Sequence, residues 1–81
     1  MNRIVMISAE NCPNCERARA EGQQISVQYN CRWIEYDVKS EESYNYDIEG
    51  TPQFYLEDSN NDPVWKSPPG IRGLQYLKEK L

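Results

Sequence analysis

Two cysteines separated by two residues are the side chains in this sequence best suited to chemistry: Cys12, Pro13, Asn14 and Cys15 follow one another. In the first turn of a helix, residues three apart lie on one face, close enough for a disulfide. The thiolate is the nucleophile in thiol–disulfide exchange, whereas an ordinary cysteine, with a pKa of about 8.5, is only slightly ionised at neutral pH. The pair therefore predicts redox chemistry if its surroundings stabilise a thiolate.

A helix that starts at the cysteines would supply this stabilisation. Pro13 suits the first helical position, because its missing N–H would be unpaired there. The free amides and positive dipole end of a helix start favour an anion by about 0.3 to 2 kcal/mol. We assign the attack to Cys12, the more exposed thiol by position, and the resolving step to Cys15. Pro13 and Asn14 are expected to tune the reduction potential and to contact the substrate.

The same cysteine spacing is also half of a zinc site, so metal binding is the alternative. A tetrahedral zinc site normally needs four Cys or His ligands. This chain has no histidine and only one further cysteine, Cys31, so we expect no metal. The absence of histidine also excludes Cys–His and Ser–His catalysis. Cys31 is interpreted as a small half-buried residue at a strand start, with a regulatory thiol as the alternative.

Hydrophobic patterns predict the elements that position the pair. The segment Arg3–Ser8 is apolar on both alternating faces, as in a short strand inside a parallel sheet. A helix then runs from the cysteines to Gln24, with Gly22 indicating its frayed end. The order of all elements is a βαβ unit followed by a ββα unit. The remaining predicted elements are a strand at 31–38, a short helix at 40–46 with a possible Ser40–Ser43 capping box, a hairpin of strands at 53–57 and 64–66, and an amphipathic helix at 71–81.

Composition limits the classes of protein. The 81 residues suffice for one domain, residues 1–81, with a thin core, and 38 % hydrophobic against 27 % charged residues does not indicate disorder. A net charge of −4 without a basic run argues against nucleic-acid binding. The apolar run Ile4 to Ile7 is too short for a signal peptide, and no stretch approaches a membrane helix. An odd number of cysteines argues against a secreted disulfide framework. We expect a cytoplasmic protein without membrane contact.

Two motifs together resemble a known family. Residues 12–15 read CPNC after a short strand, residues 50–52 read GTP before another strand, and a hairpin and a helix end the chain. This arrangement resembles glutaredoxins and small thioredoxins over residues 3–81. The resemblance implies an α/β, thioredoxin-like fold with a central mixed four-stranded sheet flanked by helices. It also implies a cis bond before Pro52, and a Thr51 backbone presented to an extended substrate beside Cys12; a plain trans proline is the alternative.

The sequence departs from both groups where substrates are held. Glutaredoxins usually carry a basic residue shortly before the first cysteine and a Gly-Gly-x-Asp element near the last helix. Here Glu10 and Asn11 precede Cys12, and residues 68–73 read PPGIRG. Thioredoxins usually have Trp before the first cysteine and Gly-Pro within the pair. The chain therefore resembles an atypical member between the two groups.

The resemblance implies an enzyme, a thiol–disulfide oxidoreductase that carries electrons to protein disulfides. Ribonucleotide reductase is among the implied targets, and either glutathione or a thioredoxin reductase is the implied electron source. We expect no bound cofactor and a monomer, and by analogy a phage or bacterial source. Two alternatives stay open: an iron–sulfur carrier whose cluster bridges two subunits, and a non-catalytic binding module that kept the fold.

Four further residues receive less specific interpretations. Tyr44 and Tyr46 lie in a polar segment and are candidates for a partner surface. Arg17 and Arg19 are interpreted as solvated helix-face residues paired with the neighbouring Glu16 and Glu21, with assistance to the thiolate as the alternative.

Overall fold

The computed structural model describes residues 2–81, which form one sheet with two helices and a short 3₁₀ turn. The order of elements is the predicted βαβ unit followed by a ββα unit. The strands are β1 (Arg3–Ser8), β2 (Arg32–Asp37), β3 (Gln53–Glu57) and β4 (Pro63–Lys66); the helices are α1 (Pro13–Gln28) and α2 (Gly73–Lys80); the 3₁₀ turn is Glu41–Asn45.

β1 lies inside the sheet, as its unbroken apolar run predicts. The strand order is β2-β1-β3-β4. β1 pairs in parallel with β2 and antiparallel with β3, and β3 pairs antiparallel with β4. Ile4, Val5, Met6 and Ile7 are all 0 % exposed, because both faces of β1 are covered. The sheet is therefore the mixed, four-stranded one that we expected.

The two faces of the sheet are covered differently. Both helices pack on one face, where Ala18 and Ile25 of α1 meet Leu74 and Leu77 of α2 over a core that includes Phe54. The other face has a smaller buried cluster of three residues, Val5, Ile7 and Tyr55, with side chains from β2 and from residues 38–48 packed over it. The larger of the two buried clusters therefore lies between the sheet and the helices.

α1 is longer than the sequence predicts. Gly22 does not end the helix, which continues to Gln28. Gly22 is buried, and a Cβ atom there would lie 2.5 Å from Cη2 of Trp33. The glycine therefore serves a close approach between α1 and β2 rather than a helix end.

The segment between β2 and β3 also differs in detail from the prediction. It forms the 3₁₀ turn near the expected position, but Ser40 makes no side-chain capping bond. The hydroxyl of Ser43 instead shares its one hydrogen between the carbonyl oxygens of Val38 and Ser40, at 2.8 and 2.7 Å from Oγ. Within residues 2–81, neither helix has the length and apolar content needed to cross a bilayer.

Candidate functional site

The cysteine pair lies at the start of α1, after a three-residue loop that follows the carboxyl end of β1. Asn11 turns the chain with a φ of 54°, a left-handed conformation that asparagine tolerates better than most residues. Cys12 is the N-cap of α1 and Pro13 is its first residue. The helix therefore begins at the cysteines, as their spacing and Pro13 predict.

Cys12 and Cys15 form a disulfide, with their Cα atoms 5.2 Å apart. The backbone N–H of Cys15 donates to Sγ of Cys12 at 3.2 Å. Cys12 is half-buried, whereas Cys15 is 1 % exposed. In the reduced pair, the same amide and the positive end of α1 favour a thiolate at Cys12. Cys12 is also the sulfur that an incoming disulfide reaches more easily.

Thr51 and Pro52 face Cys12 from the loop that leads into β3. Oγ1 of Thr51 lies 4.0 Å from Sγ of Cys12, and the Thr51–Pro52 peptide bond is cis. Pro52 is buried, and its carbonyl accepts a hydrogen bond from N of Gly70 at 2.8 Å. The structure therefore brings these two predicted residues to Cys12. The other two, Pro13 and Asn14, are exposed in the first turn of α1.

Gln53 holds this loop in place and was not singled out by sequence reasoning. Its side-chain carbonyl accepts a hydrogen bond from N of Glu49 at 2.9 Å, and its amide group donates to the carbonyl of Ser67 at 2.8 Å. The side chain is 0 % exposed. The sequence does not indicate which backbone groups a glutamine at a strand start will bond. Both partners of Gln53 are brought to it by the tertiary structure.

A polar cleft of about 390 Å³ lies against the cysteines at the ends of β1 and β2. Both sulfur-bearing residues contribute to its lining. The other lining residues come from the loop after β1, from α1 and from β2: Ser8, Ala9, Glu10, Asn11, Glu16, Arg19, Glu35 and Asp37. The cleft therefore places charged side chains beside the redox pair.

The cleft contains an ion pair between Arg19 and Glu35, and Ser8 forms a hydrogen bond to the same carboxylate. Nε and Nη2 of Arg19 donate to Oε1 and Oε2 of Glu35 at 2.8 and 2.7 Å. The hydroxyl of Ser8 donates to Oε2 of Glu35 at 2.9 Å. The hydrogen bond from Arg19 lowers the pKa of Glu35, an effect opposed by partial burial and reinforced by Ser8. Glu35 likewise raises the pKa of Arg19, so both groups are charged at neutral pH.

The interpretation of Arg19 as a solvated partner of helix acids is wrong. Its partner is on β2, sixteen residues further along the chain. One signal was available in the sequence: Arg19 follows Cys15 by four residues, which places both on one face of α1. Arg17 is exposed, as predicted.

Cys31 lies in the turn between α1 and β2 as a half-buried free thiol. Its Sγ donates to the carbonyl of Tyr29 at 3.6 Å, and partial burial raises the pKa of the Cys31 thiol.

Among residues 2–81, no group of three or more His, Cys, Asp or Glu side chains is placed to hold a metal ion.

Comparison with known proteins identifies the fold. No protein-family model and no curated protein matches the sequence. Among solved structures, oxidised thioredoxin from Plasmodium falciparum is 28 % identical, with a TM-score of 0.78 over 98 % of this chain and 79 % of that one. The germline-specific thioredoxin Deadhead from Drosophila melanogaster is 17 % identical, with a TM-score of 0.79 over 99 % and 80 %. A structure of ferredoxin:thioredoxin reductase in complex with thioredoxin f2 matches at 13 % identity, with a TM-score of 0.79 over 96 % and 73 %.

These likenesses confirm the expected α/β architecture. The agreement extends over nearly all of this chain, and each of the three relatives is longer. A pair of sulfurs that closes a disulfide at the first turn of a helix is the arrangement that dithiol–disulfide cycling requires.

Proposed function

We propose that this thioredoxin-fold chain, whose fold and cysteine pair support a thiol–disulfide oxidoreductase in general, is an electron carrier that reduces protein disulfides through Cys12 and Cys15. The observation that carries the proposal is the position of Cys12. Sγ of this half-buried residue caps α1 and accepts a hydrogen bond from the backbone N–H of Cys15. Cys15 lies one turn further into the helix and is buried. An accessible, stabilised thiolate next to a protected second thiol is what a two-step exchange needs.

The first step forms a mixed disulfide. The Cys12 thiolate attacks one sulfur of the substrate disulfide, so that a new bond joins Sγ of Cys12 to this sulfur and the substrate S–S bond breaks. The electron pair of the broken bond leaves on the other substrate sulfur, which takes a proton from water. The amide of Cys15 holds the attacking sulfur during this approach.

The second step releases the substrate. Cys15 loses its proton and attacks Sγ of Cys12, which expels the second substrate thiolate and closes the Cys12–Cys15 disulfide. Two electrons have then passed to the substrate. A thiol reductant must return two electrons and two protons to reopen the disulfide, and we propose either glutathione or a thioredoxin reductase for this role.

The loop opposite Cys12 is the proposed platform for the substrate. An extended substrate segment would pair its main chain with Thr51, in the manner of strand addition. Pro52 fixes the shape of this loop from a buried position, and Pro13 and Asn14 stand exposed on the other side of Cys12. These four residues, together with Cys12 as nucleophile and Cys15 as resolving thiol, form the proposed site.

Protein partners are part of the same proposal. A relative of this fold is known in complex with ferredoxin:thioredoxin reductase, which supports a protein partner for this chain in general. We extend the proposal to a monomeric protein in the cytoplasm, with ribonucleotide reductase among its substrates.

The test is reduction of insulin disulfides by the purified protein, driven in parallel by NADPH with thioredoxin reductase and by glutathione with glutathione reductase. We expect turnover with one of the two sources, and the better source names the reductant. Cys12→Ser and Cys15→Ser should fall to the uncatalysed rate. Cys31→Ser is the matched control and should stay within about twofold of the parent, because Cys31 lies in the turn after α1 rather than at its start.

Turnover with neither source would contradict the proposal. A coloured protein with visible absorbance would then favour the iron–sulfur carrier. A colourless protein whose biological effect survives Cys12→Ser would favour the binding module.

A further inference from the structure

The cleft beside the cysteines is crowded with negative charge. Three of its carboxylates, Glu10, Glu16 and Asp37, come from the loop after β1, from α1 and from β2, and Glu35 is a fourth. Each of them disfavours a thiolate, since like charges repel in a partly enclosed site. Among the described residues that line the cleft, Arg19 is the only cation.

Arg19 is fixed in this place by its partners. Its guanidinium donates two hydrogen bonds to the carboxylate of Glu35, and the hydroxyl of Ser8 at the end of β1 donates to the same carboxylate. The side chains of Arg19 and Glu35 are 41 % and 22 % exposed. Partly exposed ion pairs contribute little to the free energy of unfolding, so a role in stability does not account well for this one. Its position in the same cleft as the two sulfurs indicates a role in the redox chemistry.

The helix places Arg19 next to the redox pair. Cys15 and Arg19 are four residues apart in α1, which puts their side chains on one face, one turn from each other. The carboxylate of Glu35 reaches the same cleft from β2. The Arg19–Glu35 pair therefore adds two opposite charges whose effects on the sulfurs largely cancel, and the other three carboxylates of the cleft remain as a negative background.

We propose that the Arg19–Glu35 pair, held by Ser8, is a positioning device that sets the thiolate stability of Cys12 and thereby the reduction potential of the Cys12–Cys15 disulfide. The inference rests on the proposed function and adds the residues that adjust it. Removing either charge leaves the other uncompensated, so the two single substitutions act in opposite directions.

The direction of each effect follows from charge. Glu35→Gln leaves Arg19 positive beside the sulfurs, which favours the thiolate and lowers the pKa of Cys12. Because the thiolate belongs to the reduced form, the reduction potential rises. Arg19→Gln leaves Glu35 negative, which raises the pKa of Cys12 and lowers the potential. The double variant restores cancellation and returns both quantities toward the parent values.

The first measurement is the pH profile of iodoacetamide alkylation for each reduced protein, with the Cys15→Ser and Cys31→Ser substitutions present so that only Cys12 reacts. We expect the thiolate equilibrium to move about threefold toward the thiolate in Glu35→Gln and about threefold away from it in Arg19→Gln, which is the size of an interaction across a solvent-accessible cleft. Arg17→Gln makes the same change in net charge as Arg19→Gln, but at an exposed position of α1, and should leave the profile unchanged.

The second measurement is the reduction potential of proteins that keep both active-site cysteines, in glutathione buffers. The disulfide and two glutathione molecules exchange with the dithiol and one oxidised glutathione, so two electrons and two protons are transferred. A threefold change in this equilibrium corresponds to about 14 mV, at about 30 mV per tenfold. The two single variants should fall on opposite sides of the parent.

Equal shifts in one direction, or no shift in either single variant, would overturn the inference. Thermal unfolding of the same proteins shows whether a shift comes from damage to the fold, because damage would move both variants alike and would not be undone in the double variant. A parent protein that reduces insulin disulfides with neither glutathione nor thioredoxin reductase would contradict the proposed function instead. The two failures are therefore distinguishable.

Discussion

A sulfur at the N-cap of a helix occupies a position that normally belongs to the side-chain oxygen of Ser, Thr, Asp or Asn. Sγ of Cys12 accepts the amide that such an oxygen would accept. When the disulfide is reduced, this bond becomes a charge-assisted one to a thiolate, which is stronger than its neutral counterpart. The stabilisation of a thiolate at Cys12 is thus a consequence of helix capping.

The hydroxyl of Thr51 is the side-chain group that approaches Cys12 from the opposite loop. We expect this hydroxyl to donate to the thiolate in the reduced protein, so Thr51→Val should raise the pKa of Cys12 and slow its alkylation at pH 6 about threefold. Thr51→Ser keeps a hydroxyl and should react as the parent does. An unchanged alkylation rate in Thr51→Val would show that the hydroxyl does not act on the sulfur.

The cysteines and the loop at Thr51 and Pro52 could be predicted from the sequence, because two short motifs carry them. Arg19 and Glu35 could not be paired in the same way. Helical spacing places Arg19 on the face of Cys15, but its partner comes from β2, and the pairing depends on how α1 packs across the sheet. Sequence spacing reports neighbours within an element far better than it reports neighbours between elements.

Gly22 lies inside α1, although its residue type suggests a helix end. In isolation, glycine in a helix costs about 1 kcal/mol relative to alanine and suggests an end. Here it lets the ring of Trp33 pack directly on the helix backbone. The close packing of α1 on β2 at this point therefore requires a residue without a Cβ atom.

We therefore expect Gly22→Ala to destabilise the protein in spite of its better helix propensity. The added Cβ would lie 2.5 and 2.6 Å from Cη2 and Cζ3 of Trp33, and overpacking of this kind costs about 1 to 3 kcal/mol. Urea denaturation measures the change. Trp33→Phe shortens the ring and should make the alanine less costly, so the two substitutions should be non-additive. A stabilised Gly22→Ala protein would contradict this account of the glycine.

At the scale of the whole molecule, the sheet is asymmetric. Two helices cover one face, while residues 38–48 and the side chains of β2 cover the other. On this second face Glu57 is 2 % exposed and paired with Arg3. Tyr46 completes the pair by donating its hydroxyl to Oε2 of Glu57 at 2.6 Å. Burial and this carboxylate raise the pKa of Tyr46.

Tyr46 is half-buried and holds Glu57, whereas Tyr44 is 79 % exposed, so the partner-surface interpretation stays a prediction that Tyr44 fits better. The sequence places both in one polar segment and gives no periodicity that separates them. What separates them is a buried carboxylate eleven residues away, on β3. The fold class could be predicted because strand and helix order is local, but this contact belongs to the assembled molecule.

The two tyrosines give a matched test of the second face. Tyr46→Phe keeps the ring, whose centroid lies 4.8 Å from that of Tyr55, and removes the hydroxyl from the buried carboxylate. We expect a loss of about 1 to 3 kcal/mol in the free energy of unfolding. Tyr44→Phe should change it by less than about 0.5 kcal/mol. Equal effects in urea denaturation would show that Glu57 does not need this donor.

Trapping the mixed disulfide tests whether Cys12 attacks substrate disulfides. Cys15→Ser protein that also carries Cys31→Ser is reduced, incubated with a peptide disulfide and examined by mass spectrometry. We predict one covalent peptide adduct, located at Cys12 and released by added thiol, whereas protein with both active-site cysteines accumulates no adduct and ends as the Cys12–Cys15 disulfide. Absence of any adduct at Cys12 would contradict the claim that this residue attacks disulfides.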